Sequence, residues 1–81
     1  MPETGAAPAI EFELRGDHIA LDALLKATGL ASSGGGAKVQ IAAGGVRVNG
    51  EPETRRGRKL KAGDRVQVGD ARVQLSAPAG V

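Results

Sequence analysis

Apolar residues follow two different periods in the first third of the chain. In "IEFELRG", apolar Ile10, Phe12 and Leu14 alternate with charged residues, and this period of two predicts a strand with one buried face. In "IALDALLKATG" the apolar residues recur every three or four positions, which predicts an amphipathic helix. Gly29 follows this run, where a glycine allows the left-handed backbone that closes many helices.

A second helix is predicted in the glycine-rich stretch "SSGGGAKVQIAAGG". Ala37 and Ile41 are four residues apart, as on the buried side of a helix over residues 35–43. Ser32 or Ser33 precedes this helix, and a serine hydroxyl there accepts a hydrogen bond from a first-turn amide. Glycine inside a helix costs about 1 kcal/mol relative to alanine, so the glycine run needs a reason other than stability.

The second half of the chain predicts a small sheet. "VRVNG", "RVQVG" and "ARVQL" each alternate apolar and polar residues, and the pair Asn49-Gly50 is a strong hairpin signal because both residues tolerate a positive φ. Pro52 lacks the amide of a ladder hydrogen bond, so "EPET" is not expected in a central strand. We therefore expect an α+β fold in which two helices pack on one face of a small, largely antiparallel sheet.

The chain length of 81 residues suits one small domain. We expect this domain at residues 10–76, with disordered tails at residues 1–9 and 77–81, which are rich in alanine, glycine and proline. No apolar run reaches the length of about 18 residues that crosses a bilayer, and "MPETGAAPA" lacks the features of a signal peptide. With no cysteine in the chain, these features predict a cytoplasmic protein without a membrane partner.

Charge is unevenly distributed along the chain. Residues 1–25 hold one cation against five acids, residues 26–61 hold eight cations against two acids, and residues 62–81 are balanced. This basic centre predicts a positive face and an anionic partner. On charge alone, an ordinary solvated basic surface explains the pattern equally well.

Candidate catalytic or metal-binding sets are not evident in the sequence. No nucleophile, base and orienting group stand in a recognisable pattern, and no cofactor motif occurs. The chain has no cysteine, and His18, its single histidine, does not make a zinc site without help from carboxylates. We expect a protein that is not an enzyme and that needs no cofactor, metal or small-molecule substrate.

Three explanations of the glycine run remain for comparison. A flexible linker is disfavoured because apolar patterns lie on both sides, and a nucleotide-binding loop is disfavoured because the spacing GxxxxGK[ST] is absent. The third is a helix N-terminus whose amides bind an anion, which Gly34, Gly35 and Gly36 leave open and to which Lys38 adds charge. A plain structural turn stays open as the alternative.

The motifs "SGG..AK", "V.VNG" and "RRGRKL..GD" resemble those of the α-L RNA-binding domain first seen in the ribosomal protein S-four. They are most similar to a bacterial subfamily in which this domain is nearly the whole protein. The resemblance covers about residues 10–76. It implies an RNA-facing surface at the start of the second helix and at nearby polar positions, here Ser33, Gly34, Gly35, Lys38, Arg47 and Asn49. It also implies a basic cluster at Arg55, Arg56, Arg58 and Lys59. The broad family usually has arginine at the position of Gly34.

The resemblance and the composition together predict how RNA is held. The chain has no tyrosine or tryptophan, so bases do not stack on aromatic side chains as in many single-strand readers. We expect a monomer that grips structured RNA, ribosomal or transfer RNA, through phosphates and shape in a process linked to translation. Two alternatives stay open, a protein-interaction module with an acidic partner and a non-specific DNA binder.

Overall fold

The computed structural model describes residues 9–78 of the chain. They form two helices and seven strands in the order β1 (Ala9–Glu13), β2 (Ile19–Ala20), α1 (Leu21–Ala27), α2 (Gly34–Ala42), β3 (Val46–Val48), β4 (Glu51–Pro52), β5 (Lys59–Leu60), β6 (Arg65–Val68) and β7 (Ala71–Ser76). The predicted tails fall mostly outside the described residues, which exclude 1–8 and 79–81. Ala9, assigned to the first tail, is the first residue of β1.

The main sheet has five strands in the order β1-β7-β6-β3-β4. The pairs β7–β6, β6–β3 and β3–β4 are antiparallel, whereas β1 and β7 are parallel. The expected α+β class with a largely antiparallel sheet is therefore confirmed. The parallel pair consists of the first and last strands of the chain, and a parallel pair cannot be joined by a tight hairpin.

The two helices cover one face of this sheet. Leu21, Leu24 and Leu25 of α1 are fully buried, and Ala37 and Ile41 of α2 are no more than 1% exposed. They join the inward side chains of β3, β6 and β7 in a single apolar cluster. The predicted buried sides of both helices are thus confirmed, and no helix within residues 9–78 covers the opposite face of the sheet.

Helix α1 begins later than its apolar pattern predicts. The pattern starts at Ile19, but the backbone of Ala20 is extended, with φ −72° and ψ 148°. Ile19 and Ala20 form β2, which pairs with β5 in a separate two-stranded sheet. The prediction was wrong here because an extended pair of residues with a distant partner leaves no local signal.

Two turns are formed as predicted. Asn49 and Gly50 have φ values of 53° and 86°, so both central residues of the β3–β4 hairpin are left-handed. Gly29 after α1 has a φ of 79°. Pro52 lies in β4, the short strand at the edge of the sheet, where its missing amide leaves no ladder bond unmade.

Candidate nucleic-acid interface

The first turn of α2 begins at a capping serine. Ser33 has an extended backbone, with φ −156° and ψ 167°, and its Oγ accepts a hydrogen bond of 3.1 Å from the amide of Gly36. This confirms Ser33 as the N-cap. The amide of Gly35, one residue earlier, has no partner within the helix because the carbonyl that would accept it lies before the helix begins.

Gly35 and Gly36 are not required by the local structure. A Cβ added to Gly35 would meet only Ser33 Oγ, at 3.9 Å, and a Cβ on Gly36 would meet the same atom at 3.5 Å. These are ordinary contact distances. Neither glycine has a positive φ, so alanine fits the backbone at both positions. The domain therefore tolerates side chains here, and glycine keeps the turn open towards solvent.

The electrostatics of the turn favour an anion. The N-terminus of a helix carries partial positive charge, and no acidic residue lies in the first turn of α2 to neutralise it. Lys38, the first charged residue of the helix, is exposed. Gly34 is the first residue of α2. Of the residues predicted to share a surface, Ser33, Gly34 and Gly35 thus lie at the start of α2, and Lys38 lies one turn further along the same helix.

A buried carboxylate organises the segment that we call the basic loop, residues 53–59. Glu53 is 6% exposed. Its Oε2 accepts 3.0 Å and 3.1 Å bonds from the side-chain Nε and the backbone amide of Arg55, and its Oε1 accepts a 2.7 Å bond from Arg58 Nη1. Hydrogen bonds from the Arg55 side chain first, and from Arg58 second, lower the pKa of Glu53 from 4.5 to about 2.

This carboxylate divides the predicted basic cluster into two kinds of cation. Arg55 and Arg58 are ion-paired with Glu53. Arg56 and Lys59 are exposed and form no ion pair within residues 9–78. Two backbone carbonyls of the basic loop also accept hydrogen bonds from the start of α1. The Leu21 amide donates to the Arg58 carbonyl, and the Asp22 amide donates to the Arg56 carbonyl. The basic loop is therefore fixed to the start of α1, with two unpaired cations facing solvent.

The two predicted residues of the hairpin have different environments. The guanidinium of Arg47 is exposed and donates a 3.4 Å bond to the Gly50 carbonyl. The side chain of Asn49 joins two turns, since Nδ2 donates to Asp64 Oδ1 at 3.2 Å and Oδ1 accepts the Arg65 amide at 2.9 Å. Asn49 thus has a structural function whatever else it contacts.

The predicted residues form three groups in the structure, at the start of α2, in the basic loop and in the hairpin. Within residues 9–78 no hydrogen bond or ion pair directly joins members of different groups. Sequence reasoning missed Glu53 as an organising residue, and it did not predict the contact of Asp64 with Asn49. The only signal for Glu53 is its position two residues before Arg55 and five before Arg58, a spacing that solvated charge runs also show.

Among the described residues, no three histidine, cysteine, aspartate or glutamate side chains are grouped to hold a metal ion. No helix of residues 9–78 has the length and apolar character needed to cross a bilayer.

These features define a small α+β domain with an open helix start and a basic loop, and comparison with known proteins identifies its family. The sequence model described as "S4 domain" matches residues 12–76. "Putative RNA-binding protein YbcJ" of Escherichia coli (strain K12) is 43% identical over 60 residues, which span 74% of this chain and 86% of that protein. "Uncharacterized protein YbcJ" of Shigella flexneri matches with the same identity and coverage. The chain belongs to the S4 domain family, which confirms the resemblance seen in its motifs.

Proposed function

We propose that this domain binds structured RNA, without catalysing a reaction, through the first turn of α2 and the unpaired cations of the basic loop. Membership of the S4 domain family supports an RNA-binding role. The E. coli relative, named as an RNA-binding protein, supports the same role. Ribosomal or transfer RNA in the cytoplasm, bound by a monomer in a translation-linked process, is the finer form of this proposal.

One observation carries the proposal, the glycines at the start of α2. Helix-interior glycine is unfavourable by about 1 kcal/mol relative to alanine, and neither steric space nor backbone conformation demands it at Gly35 or Gly36. A ligand that approaches the backbone closely would explain why glycine is present at these positions. A ribose-phosphate backbone is an anionic ligand whose phosphate oxygens accept hydrogen bonds from unpaired amides. It is also wide enough that side chains on the first turn of α2 would keep its phosphates away from those amides.

The mode of recognition follows from the side chains that are present. The single aromatic residue, Phe12, packs against the core, so no aromatic platform is offered to unstacked bases. Arg56, Lys59 and Lys38 supply exposed charge. Such a surface holds RNA by phosphate contacts and shape, with little discrimination between sequences.

A salt titration tests this proposal. If about five phosphates are neutralised, the logarithm of the association constant for a structured RNA falls with a slope of roughly −4 against the logarithm of salt concentration. Duplex DNA of equal length is expected to compete poorly. A flat salt dependence, or equal competition by duplex DNA, would contradict the proposal. Binding to acidic polypeptide but not to RNA would indicate a protein-interaction module instead.

A further inference from the structure

The face of the main sheet opposite the helices carries a second group of cations. The register places Arg47 of β3 opposite Gln67 of β6, and Gln67 opposite Arg72 of β7. Residues directly opposite in a sheet point to the same side, so these three side chains form one row across three strands. Arg65, two residues before Gln67 on β6, points to the same side. We call these four residues the outer sheet face.

The three arginines of the outer sheet face lie near one another. Strands are about 4.8 Å apart, so Arg47 and Arg72, separated by one strand, have backbones roughly 10 Å apart. Arg65 lies on β6, the strand between them, and is diagonal to both arginines at about 7–8 Å. All three side chains are exposed. They line a shallow groove of about 850 Å³ together with neighbouring residues of β1, β6 and β7.

The arginines of the outer sheet face have no ion-pair partner in the described part of the chain. Within residues 9–78 the ion pairs are those of Glu53 with Arg55 and Arg58. Glu11, on β1 at the edge of the groove, lies opposite Gln74 and diagonal to Arg72, so it offsets part of the charge of Arg72 but lies two strands or more from Arg65 and Arg47. Like charges about 7–10 Å apart repel one another, if weakly in water, so the three arginines do not stabilise this face of the sheet. An anionic ligand would account for their placement together.

The chemistry of the outer sheet face favours a nucleic-acid backbone over a protein. Stable protein interfaces are centred on buried aromatic or large apolar side chains. The one large apolar residue that is strongly exposed in the described chain is Val39, which lies on α2 and not on this face. Guanidinium groups donate forked hydrogen bonds that match phosphate oxygens. The outer sheet face thus offers phosphate ligands and lacks an apolar anchor.

We propose that the outer sheet face binds the phosphate backbone of a second RNA segment, so that the domain bridges two segments of a folded RNA. This inference rests on the proposed function, in which the first segment is held at the α2 turn and the basic loop. The helices pack on the other side of the sheet from Arg65 and Arg72, so a single short strand does not cover both surfaces. A domain with two such surfaces holds two RNA segments together instead of binding along one segment.

The test compares two variants that remove the same charge. Arg65→Gln/Arg72→Gln removes cations from the outer sheet face, whereas Arg15→Gln/Lys26→Gln removes two exposed cations elsewhere. We expect the first variant to weaken binding of a structured RNA about tenfold and to make the salt slope shallower by about 2, since each phosphate contact contributes about 1. The second variant is expected to leave the salt slope within about 0.5 of the wild-type value.

A bridging assay gives an independent readout. Two RNA hairpins labelled with a fluorescence donor and an acceptor are mixed with the wild-type protein, and energy transfer reports their joint binding. Energy transfer is expected with the wild type and with Arg15→Gln/Lys26→Gln, and not with Arg65→Gln/Arg72→Gln, which still binds one hairpin. Arg65→Lys/Arg72→Lys keeps the charge without the fork and is expected to restore the salt slope while leaving binding weaker than wild type.

The outcomes separate the two proposals. Wild-type affinity, slope and energy transfer in Arg65→Gln/Arg72→Gln overturn the second site and leave the proposed function standing. Failure of the wild type to bind any structured RNA overturns the proposed function itself. Binding of polyglutamate that depends on Arg65 and Arg72, with RNA binding that does not, assigns the face to an acidic protein and overturns the inference.

Discussion

The Oε1 atom of Glu53 accepts a 2.7 Å hydrogen bond from Arg58 Nη1, and the same carboxylate also binds Arg55. A carboxylate that is almost inaccessible to solvent therefore holds two arginines of a loop whose charge otherwise suggests a simple polyanion-binding surface. Arg55 and Arg58 are ion-paired through this contact, although the Arg55 side chain stays 75% exposed, and their neighbours Arg56 and Lys59 are exposed cations without an ion pair in residues 9–78.

The Glu53 cluster predicts a pH-dependent stability. Since its folded pKa is lowered from 4.5 to about 2, the stabilisation by this carboxylate is complete above its unfolded pKa and is lost as the pH falls towards 2. Urea unfolding of wild type and Glu53→Gln is expected to show a difference in stability at pH 7 that shrinks steadily below about pH 4.5. Glu51→Gln, an exposed neighbour, serves as the control. A difference that stays constant down to pH 2 would refute the assignment.

The division of the basic loop predicts two kinds of variant. Arg56→Gln/Lys59→Gln is expected to make the RNA salt slope shallower by about 2 and to change stability by no more than about 0.5 kcal/mol. Arg58→Gln is expected to lower the free energy of unfolding, because it leaves Glu53 with one partner fewer in a buried position. Binding titrations and urea unfolding check both. Equal stability losses in the two variants would show that the loop is not divided in this way.

From the glycines in the first turn of α2 we predict opposite effects of one substitution on stability and on RNA binding. Gly35→Ala/Gly36→Ala is expected to stabilise the domain by about 0.5 kcal/mol or more, because alanine is the better helix former. The same change is expected to weaken RNA binding about tenfold, equivalent to about 1.4 kcal/mol, because two methyl groups hold a phosphate away from the amides. Thermal unfolding and RNA titration measure the two effects.

Gly16 provides the matched control for that experiment. It is exposed, has no atom near an added Cβ and has no positive φ. Gly16→Ala is expected to leave RNA affinity unchanged. Unchanged affinity in Gly35→Ala/Gly36→Ala as well would leave the glycine run without the explanation given for it.

Much of this fold was predictable because its signals are local. The apolar period of α2, its Ser33 cap and the left-handed Asn49-Gly50 turn each depend on residues only a few positions apart, and the structure shows all of them. The parallel pairing of β1 with β7 and the pairing of β2 with β5 join residues about 40 or more positions apart. Alternation of apolar residues predicts a strand but does not name its partner.

The candidate interface was less predictable for a related reason. Whether a charged residue is solvated or paired depends on its burial, and burial arises from packing between residues that are far apart in the sequence. Glu53 reads in the sequence as one more charge in a polar run, yet it is buried and selects Arg55 and Arg58 as its partners. Arg65 and Arg72 lie in separate strands and become neighbours only when the register of β6 and β7 is known.

The most direct test of the central claim follows the backbone amides of the isotope-labelled protein by NMR during titration with a structured RNA hairpin. The account predicts that the amides of Gly35, Gly36 and Lys38 shift early and by the largest amounts, together with Arg56 of the basic loop. The account would be contradicted if the chemical shifts of these amides stay at their values in the free protein while only amides of other surfaces shift.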